Sequence, residues 1–182
     1  MINKGMVFVI KAICVTSLCL VCCCSGSQDK SKRSKSSEIP LETYIQMNKK
    51  MIADEQNIIE KYVADKGVTM KRTETGLWFN ISEIGEGENI NKGKIVKLNY
   101  SISLLNGSLL YSSDESGAKE FLVGQGGVET GLEEGILMLK KGSKASFIMP
   151  PHLAHGLIGD DDKIPSRAIL LYDVEIIDVK NK

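Results

Sequence analysis

Two histidines and a run of aspartates lie close together in the last third of the chain. His152 and His155 are separated by two residues, and Asp160, Asp161 and Asp162 follow. Residues of these types bind metal ions, but structural zinc sites enclose the ion with four ligands, and this segment has no cysteine and no helix to orient the histidines. We therefore assign the acidic run to turn formation and solvation, and we expect neither a metal nor a cofactor.

Two neighbouring glutamates, Glu133 and Glu134, are a second candidate for chemistry. A pair of carboxylates can act as general acid and base in a hydrolase when both face the same bond. Adjacent side chains on a helix point about 100° apart, so these two do not face one substrate. Their place in the first turn of a predicted helix matches the positive end of the helix dipole instead. No catalytic triad is visible in the sequence.

The helix that carries these glutamates lies in a glycine-punctuated stretch, residues 124–165. Thr130 and Glu133 have the spacing of a capping box, which predicts that the helix begins near Gly131. Apolar residues then recur at helical spacing, and Lys140 and Gly142 mark the end of the helix. These apolar residues are Leu132, Ile136 and Leu139.

A strand and a long loop follow the helix. Ala145, Phe147 and Met149 alternate with polar residues, which predicts a strand with one buried face. Pro150-Pro151 removes the donors that would continue its hydrogen-bond ladder. The loop after the prolines is long for a compact domain and carries apolar residues, so we interpret it as functional.

The rest of the predicted domain is rich in strands. Asn106-Gly107 is a strong hairpin signal, and Glu74-Thr75-Gly76 predicts another hairpin. Trp78, the only tryptophan, is interpreted as a packing residue. One short helix on a sheet of such strands defines an α+β domain. The predicted strands are residues 68–72, 77–84, 94–105, 109–112, 120–123 and 167–178.

Several short motifs in this part of the chain occur in a familiar order. They are the octapeptide at residues 128–135, Gly142, Ala154-His155-Gly156, Ile164-Pro165 and the closing strand at residues 170–175. In this order and spacing they resemble the FKBP-type peptidyl-prolyl cis/trans isomerases. The resemblance runs from Gly85 to Asp178, and within that family the chain is most similar to the FKBP-like gliding motility lipoproteins.

The resemblance implies a fold and an activity. The fold is a curled antiparallel sheet wrapped around one short helix, and the activity is rotation about X-Pro peptide bonds. That rotation crosses a barrier of about 18–20 kcal/mol that amide resonance sets. A protein lowers the barrier by binding the twisted amide more tightly than the planar one, so an apolar slot is sufficient and no reactive group is needed.

The resemblance also assigns residues to the proline slot. Tyr100 corresponds to an aromatic wall, and Leu132 to a floor that is Trp in many members. His155 falls where a Tyr hydroxyl often donates a hydrogen bond, and it retains a ring N–H that can donate. The other assigned positions are Leu110, often Phe; Val128 and Glu129, where the backbone meets the peptide; Ile164, an apolar lip; and Tyr172, commonly Phe.

Two positions depart from the pattern of the family. Tyr111 stands where Asp is usual, and Lys119 stands where an aromatic residue is common. We therefore expect a slot that binds proline but catalyses more weakly than archetypal members. The alternative is a binding module that has kept the slot and lost turnover, acting as a chaperone or assembly factor. A purely structural lipoprotein is a third interpretation, which leaves the slot unexplained.

The first 24 residues have the layout of a secretory signal. Lys4 and Lys11 precede an apolar run at residues 12–24, and no acidic residue interrupts it. All five cysteines lie in this segment, so no disulfide framework is available to the domain. The cysteines at its end predict a bacterial lipoprotein signal peptide, with Cys23 or Cys24 as the lipidated residue. An uncleaved signal anchor is the alternative.

A tether and a long helix connect this segment to the domain at residues 68–182. Residues 25–39 are polar and rich in Ser and Lys, which predicts a flexible spacer. Residues 40–67 follow a 3.6-residue rhythm, which predicts an amphipathic helix. Its apolar stripe either packs on its own domain, which we favour together with a monomer, or pairs with a second copy. The stripe is Leu41, Tyr44, Ile45, Met51, Ile52, Ile58, Ile59, Tyr62 and Val63.

The net charge and the predicted lipid anchor together predict the location of the protein and its partners. The formal net charge is zero, and no basic face for nucleic acid is evident. The expected location is the bacterial cell envelope, on a membrane through the lipid anchor and facing the periplasm. The expected partners are proline-containing segments of exported proteins, including parts of gliding motility machinery.

Overall fold

The computed structural model describes residues 40–182. The predicted signal peptide at residues 1–24 with Cys23 and Cys24, and the predicted tether at residues 25–39, lie outside the described residues. Along the chain the elements are α1 (Leu41–Lys66), β1 (Lys71–Arg72), β2 (Trp78–Glu83), β3 (Lys94–Leu104), β4 (Leu109–Ser112), α2 (Ser113–Ser116), β5 (Lys119–Leu122), α3 (Thr130–Ile136), β6 (Lys144–Met149), a 3₁₀ turn (Pro151–Leu153) and β7 (Leu170–Asn181).

Seven strands form one antiparallel sheet. Their order is β1-β2-β6-β7-β3-β4, and β5 pairs with β3 beside β4. The last strand in sequence, β7, therefore lies between β6 and β3 and joins the two halves of the sheet. This sheet with one short helix against it is the α+β architecture that was predicted, and the expected antiparallel form is confirmed.

The core lies between one face of the sheet and α3. Gly135 on α3 faces the ring of Phe147 on β6, and a Cβ built on Gly135 would lie 2.6 Å from that ring. A glycine here therefore lets the helix approach the sheet closely. The buried residues of this cluster include Leu77, Val96, Leu98, Leu132, Ile136, Phe147, Leu170 and Ile176.

The long strands alternate as their sequences predict. On β7 the side chains of Leu170, Tyr172, Val174 and Ile176 are buried, and the residues between them are more exposed. A bulge then shifts the register, because Lys97 pairs with Asp178 whereas Leu98 pairs with Ile176. As a result Val179, and not Asp178, is the next buried residue of the strand.

Helix α3 is shorter than predicted, and the predicted capping box is wrong. The Thr130 hydroxyl donates to the carbonyl oxygen of Leu153 at 3.4 Å. The Glu133 carboxylate accepts the backbone N–H groups of Gly124 at 3.2 Å and Gly126 at 3.1 Å. Glu133 thus satisfies donors of the preceding glycine turn instead of the helix start. The helix ends at Ile136, so Lys140 and Gly142 lie beyond it, in the connection to β6.

Helix α1 is confirmed, and it packs on the domain through its second half. Gly67 ends it in the left-handed conformation, with φ of 63°. Ile59 and Gln56 are buried, and the Trp78 indole N–H donates to Gln56 Oε1 at 2.9 Å. The first half exposes Leu41 and other apolar side chains. No helix within residues 40–182 combines the length and the apolar character that crossing a membrane requires.

Candidate functional site

The structure brings the predicted apolar residues of the slot together around α3. Leu132, Ile164 and Tyr172 belong to the same core cluster, and 1%, 4% and 0% of their surfaces are exposed. Tyr100, Leu110 and Val128 are partly buried and pack against this cluster. Tyr100, Leu110 and Val128 therefore face solvent in part, whereas Leu132, Ile164 and Tyr172 are covered.

The side chain of Glu129 lies at the centre of this site. Only 10% of it is exposed, at the point where the glycine turn enters α3. Its Oε1 atom accepts a hydrogen bond from the Tyr172 hydroxyl, and His155 Nε2 lies 3.0 Å from the same oxygen. A strand, a loop and a helix start thus meet at one carboxylate oxygen.

The second oxygen of this carboxylate faces a cation. Lys119 Nζ lies 4.0 Å from Glu129 Oε2, and it also lies 5.2 Å from the centre of the Tyr100 ring. A lysine over an aromatic face is attracted by the ring quadrupole. Oε2 is buried and accepts no hydrogen bond from any described residue. Lys119 therefore balances the charge of Glu129 without satisfying its oxygen.

These contacts lower the pKa of Glu129 and raise the pKa of Tyr172. Burial raises the pKa of Glu129, but the charge of Lys119 and the hydrogen bonds from Tyr172 and His155 outweigh it, so the pKa is lowered overall. Burial raises the pKa of Tyr172, and the neighbouring Glu129 charge raises it further. At neutral pH Glu129 is ionised and Tyr172 keeps the proton that it donates.

The hydrogen bond of His155 changes its expected role. An ionised carboxylate only accepts, so the ring nitrogen that faces Glu129, Nε2, carries the proton. In the neutral ring the other nitrogen, Nδ1, is then an acceptor. In the neutral side chain the only ring N–H is thus used within the protein, and donation from His155 to a bound peptide stays a prediction.

The Glu129 side chain is the feature that sequence reasoning missed. The resemblance assigned only the backbone of Glu129, and it treated Lys119 as a departure from the family pattern and His155 and Tyr172 as replaced slot residues, each on its own. In the structure all three face one carboxylate. A set of substitutions that each add a donor or a cation near one acidic residue is the signal that could have revealed this network.

A second tyrosine holds the loop that follows the 3₁₀ turn. The Tyr111 hydroxyl donates to Asp160 Oδ2 at 2.5 Å, and Asp162 Oδ2 lies 3.1 Å away. Asp160 Oδ1 accepts the backbone N–H groups of Asp162 at 3.0 Å and Ile164 at 2.7 Å. The assignment of the acidic run to turn formation is confirmed for Asp160. The same carboxylate ties Ile164 to β4.

The Tyr111–Asp160 hydrogen bond raises the pKa of Tyr111 and lowers the pKa of Asp160. The hydrogen bond to Asp160 raises the pKa of Tyr111 to about 12. Burial opposes ionisation of Asp160, but hydrogen bonds from Tyr111 and the loop backbone lower its pKa to about 2. The stabilisation from Tyr111 is present below its usual pKa of 10.0 and is lost as the pH rises towards 12. The stabilisation from Asp160 is present above pH 3.8 and is lost as the pH falls towards 2.

We predict that replacing Asp160 by asparagine returns the pKa of one tyrosine from about 12 towards its usual 10.0. The physical reason is that an uncharged amide no longer stabilises the protonated hydroxyl. The measurement is a titration of tyrosinate by ultraviolet absorbance. Asp161→Asn is the matched control, because Asp161 has φ of 62°, which asparagine tolerates. An unchanged titration in Asp160→Asn would contradict the assignment.

The histidines that could bind a metal and the two neighbouring glutamates each have a separate partner in the structure. His152 Nε2 lies 3.0 Å from the carbonyl oxygen of Thr75, away from the Glu129 partner of His155. Glu134 accepts the Thr75 hydroxyl at 2.7 Å, whereas Glu133 binds the glycine turn. No three histidine, cysteine or acidic side chains within residues 40–182 are arranged to hold a metal ion.

Comparison with known proteins places this site in a family. Residues 86–177, half of the chain, match the family described as FKBP-type peptidyl-prolyl cis-trans isomerase. A probable FKBP-type peptidyl-prolyl cis-trans isomerase of Haemophilus influenzae is 38% identical over 118 residues, which are 64% of this chain and 48% of that protein. FkpA of Escherichia coli K12 is 36% identical over 121 residues, which are 66% of this chain and 43% of that protein. The chain thus spans about half the length of the curated relatives that it matches.

Solved structures agree with the sequence comparison. The crystal structure of FkpA from Escherichia coli matches with a TM-score of 0.62 and 30% identity, over 81% of this chain and 75% of that one. The crystal structure of AtFKBP13 matches with a TM-score of 0.57 and 31% identity, over 60% of this chain and 98% of that one. The likeness therefore extends to the three-dimensional arrangement of the sheet and its helix.

Proposed function

Since this chain belongs to the family of FKBP-type peptidyl-prolyl cis-trans isomerases, we propose that it catalyses cis/trans isomerisation of X-Pro bonds in polypeptides. The observation that carries the proposal is the gathering of the predicted slot residues around α3, inside the matched segment. Tyr100, Leu110 and Val128 are partly buried and pack against the core cluster that contains Leu132, Ile164 and Tyr172.

The proposed mechanism needs no covalent step. The planar X-Pro amide is polar and well solvated, and its twisted form is less polar because nitrogen and carbonyl carbon are decoupled. An apolar wall that excludes water therefore favours the twisted form. Tyr100 supplies one face of this wall, and the backbone at Val128 and Glu129 lies at the turn into α3, where the peptide is proposed to bind.

The direct test is a protease-coupled assay on a proline tetrapeptide with residues 25–182. We expect an acceleration of the slow phase that is proportional to protein concentration. Tyr100→Ala should lower kcat/KM by about tenfold or more, because each 1.4 kcal/mol of lost transition-state stabilisation is a factor of ten. An assay without acceleration at micromolar protein would reject the enzymatic proposal.

A second candidate function is binding without turnover, as a chaperone or assembly factor. It is favoured by the covered floor and by the Lys119–Glu129 pair, which puts charge where an apolar slot would be most effective. This candidate requires that the protein suppress aggregation of an unfolded client equally well with and without Tyr100. Loss of that suppression in Tyr100→Ala, together with loss of isomerase activity, would favour the enzyme.

The proposed setting is the bacterial cell envelope, with a lipid on Cys23 or Cys24 as the anchor. Two acyl chains on one cysteine supply the two signals that stable attachment needs. The proposed clients are proline-containing segments of exported proteins, including gliding motility machinery. Labelling with a palmitate analogue in Cys23→Ala and Cys24→Ala variants tests the anchor, and label that persists in the double variant would reject it.

A further inference from the structure

An ion pair outside the slot joins α1 to the loop that leads into β7. Arg167 Nη2 lies 2.6 Å from Glu55 Oε1, and only 8% of Glu55 is exposed. The second terminal nitrogen of the guanidinium group, Nη1, contacts the sulfur of Met51 one turn earlier on α1. A charged residue this well buried needs a partner, so the pair is costly to break from either side.

Arg167 is also held through its backbone. Its φ is 57°, in the left-handed region that residues with a side chain seldom adopt. Its N–H donates to the carbonyl oxygen of Gly156 at 3.1 Å. Gly156 directly follows His155, whose ring meets Glu129. One residue therefore contacts α1 with its side chain and the loop of the slot with its backbone.

Apolar packing does not fill this junction. A cavity of about 330 Å³ lies beside the ion pair, between α1 and the loop. Met51 and Ile52 line it from the helix, and Pro151 and Leu157 line it from the other side. At this point the ion pair, more than close packing, determines how the loop sits against the helix.

The same half of α1 is tied to the domain at a second point. Gln56 Nε2 lies 3.4 Å from the Gly76 carbonyl oxygen, in the turn between β1 and β2. The adjacent Thr75 contacts His152 of the 3₁₀ turn and Glu134 of α3. The helix is thus connected to both sides of the slot.

We propose that Arg167 is a positioning residue for the slot: held by Glu55 of α1, it sets the conformation of residues 154–166. That loop carries His155 and Ile164, so the link makes α1 part of the working site and not only a spacer. Any force or partner that displaces α1 would then change peptide binding. The effect on activity rests on the proposed isomerase function, whereas the effect on the loop does not.

Three variants of the full chain separate the parts of this link. Arg167→Gly keeps the left-handed backbone, which glycine adopts readily, and removes the guanidinium. Arg167→Lys keeps the charge, and Glu55→Gln removes the partner charge. Glu60→Gln is the matched control on the same helix, because Glu60 forms an exposed ion pair with Arg72 at 3.7 Å.

The measurements are amide hydrogen exchange of residues 154–166 and the kinetic constants of isomerisation. We expect Arg167→Gly and Glu55→Gln each to speed loop exchange by about tenfold, equal to about 1.4 kcal/mol of local opening. KM should rise by a similar factor with kcat little changed, because the loop contacts ground state and transition state alike. Arg167→Lys should restore part of the effect, and Glu60→Gln should have none.

Each outcome bears on the proposal. The double variant Glu55→Gln/Arg167→Gly should be no worse than either single variant, since the two residues act as one pair. Unchanged loop exchange in both single variants would overturn the proposal, and so would faster exchange with unaltered KM. If the wild type had no isomerase activity while loop exchange responded as expected, the proposed function would fail and the structural link would remain. Should Arg167→Gly not fold, Glu55→Gln and Arg167→Lys give the same comparison.

Discussion

Replacing Leu132 by alanine is expected to lower the free energy of unfolding by about 2–5 kcal/mol and to abolish most isomerase activity. Leu132 is 1% exposed and belongs to the core cluster that α3 shares with the sheet. Removing its branched end leaves a cavity at the floor of the slot, and the wall residues lose the surface against which they pack. Urea denaturation followed by the fluorescence of Trp78, the only tryptophan, measures the first effect.

Two control variants show whether the effect comes from the lost buried volume of Leu132. Leu132→Met nearly conserves volume and should change stability by less than about 1.5 kcal/mol. Leu137→Ala makes the same chemical change directly after the last residue of α3, where the side chain is 39% exposed, and should stay within about 0.5 kcal/mol of wild type. If Leu132→Ala were as stable as Leu137→Ala, the proposed floor of the slot would be wrong.

The second large effect is expected at the Glu129–Tyr172 hydrogen bond. Tyr172→Phe removes a donor from a buried carboxylate, and Glu129→Leu leaves a buried hydroxyl without its acceptor. Each single change should destabilise the protein by about 1–3 kcal/mol, because the remaining partner keeps its desolvation penalty. The double variant Glu129→Leu/Tyr172→Phe replaces both polar groups by apolar ones and should recover most of the loss.

The pH dependence provides an independent check on this pair. The folded pKa of Glu129 lies below its usual value of 4.5, so its contribution is present above 4.5 and is lost as the pH falls through the folded pKa. The stability difference between wild type and Tyr172→Phe should therefore be constant near neutrality and shrink in acid below 4.5. A difference that persisted unchanged in acid would show that the charge of Glu129 is not involved.

The double variant also tests why catalysis is expected to be weak. It removes the carboxylate and the hydroxyl from the slot, while Lys119 and His155 remain, and it puts Phe at residue 172, the residue that is common there in the family. We therefore expect its kcat/KM to exceed that of wild type. A fall in kcat/KM would mean that the Glu129 network takes part in peptide binding, and that the polar residues of this slot have a role of their own.

Local patterns predicted most of the fold. The strand predicted at residues 94–105, the hairpin at Asn106-Gly107 and the long helix α1 each depend on residues close in sequence, and each was found as predicted. The capping box and the end of α3 were not, because Glu133 binds the turn before the helix and the chain leaves the helix at Ile136. The bulge in β7 was also missed, since it depends on the register with β3.

The polar part of the candidate site could not be predicted in the same way. Lys119, Glu129, His155 and Tyr172 come from four separate segments, and only the folded sheet brings them to one point. The resemblance placed each residue near the slot, but it gave each position the role that it has in other members of the family. The resemblance could therefore not reveal a network formed by residues that differ from those usual in the family.

The position of β7 has a consequence for synthesis of the chain. Strands β1, β2 and β6 can pair as soon as they are made, and so can β3, β4 and β5, but within residues 40–182 only β7 connects the two groups. The sheet therefore stays in two unconnected pieces until residues 170–181 have left the ribosome. A chain that stalls before Leu170 therefore exposes two open sheet edges, which can pair with other chains.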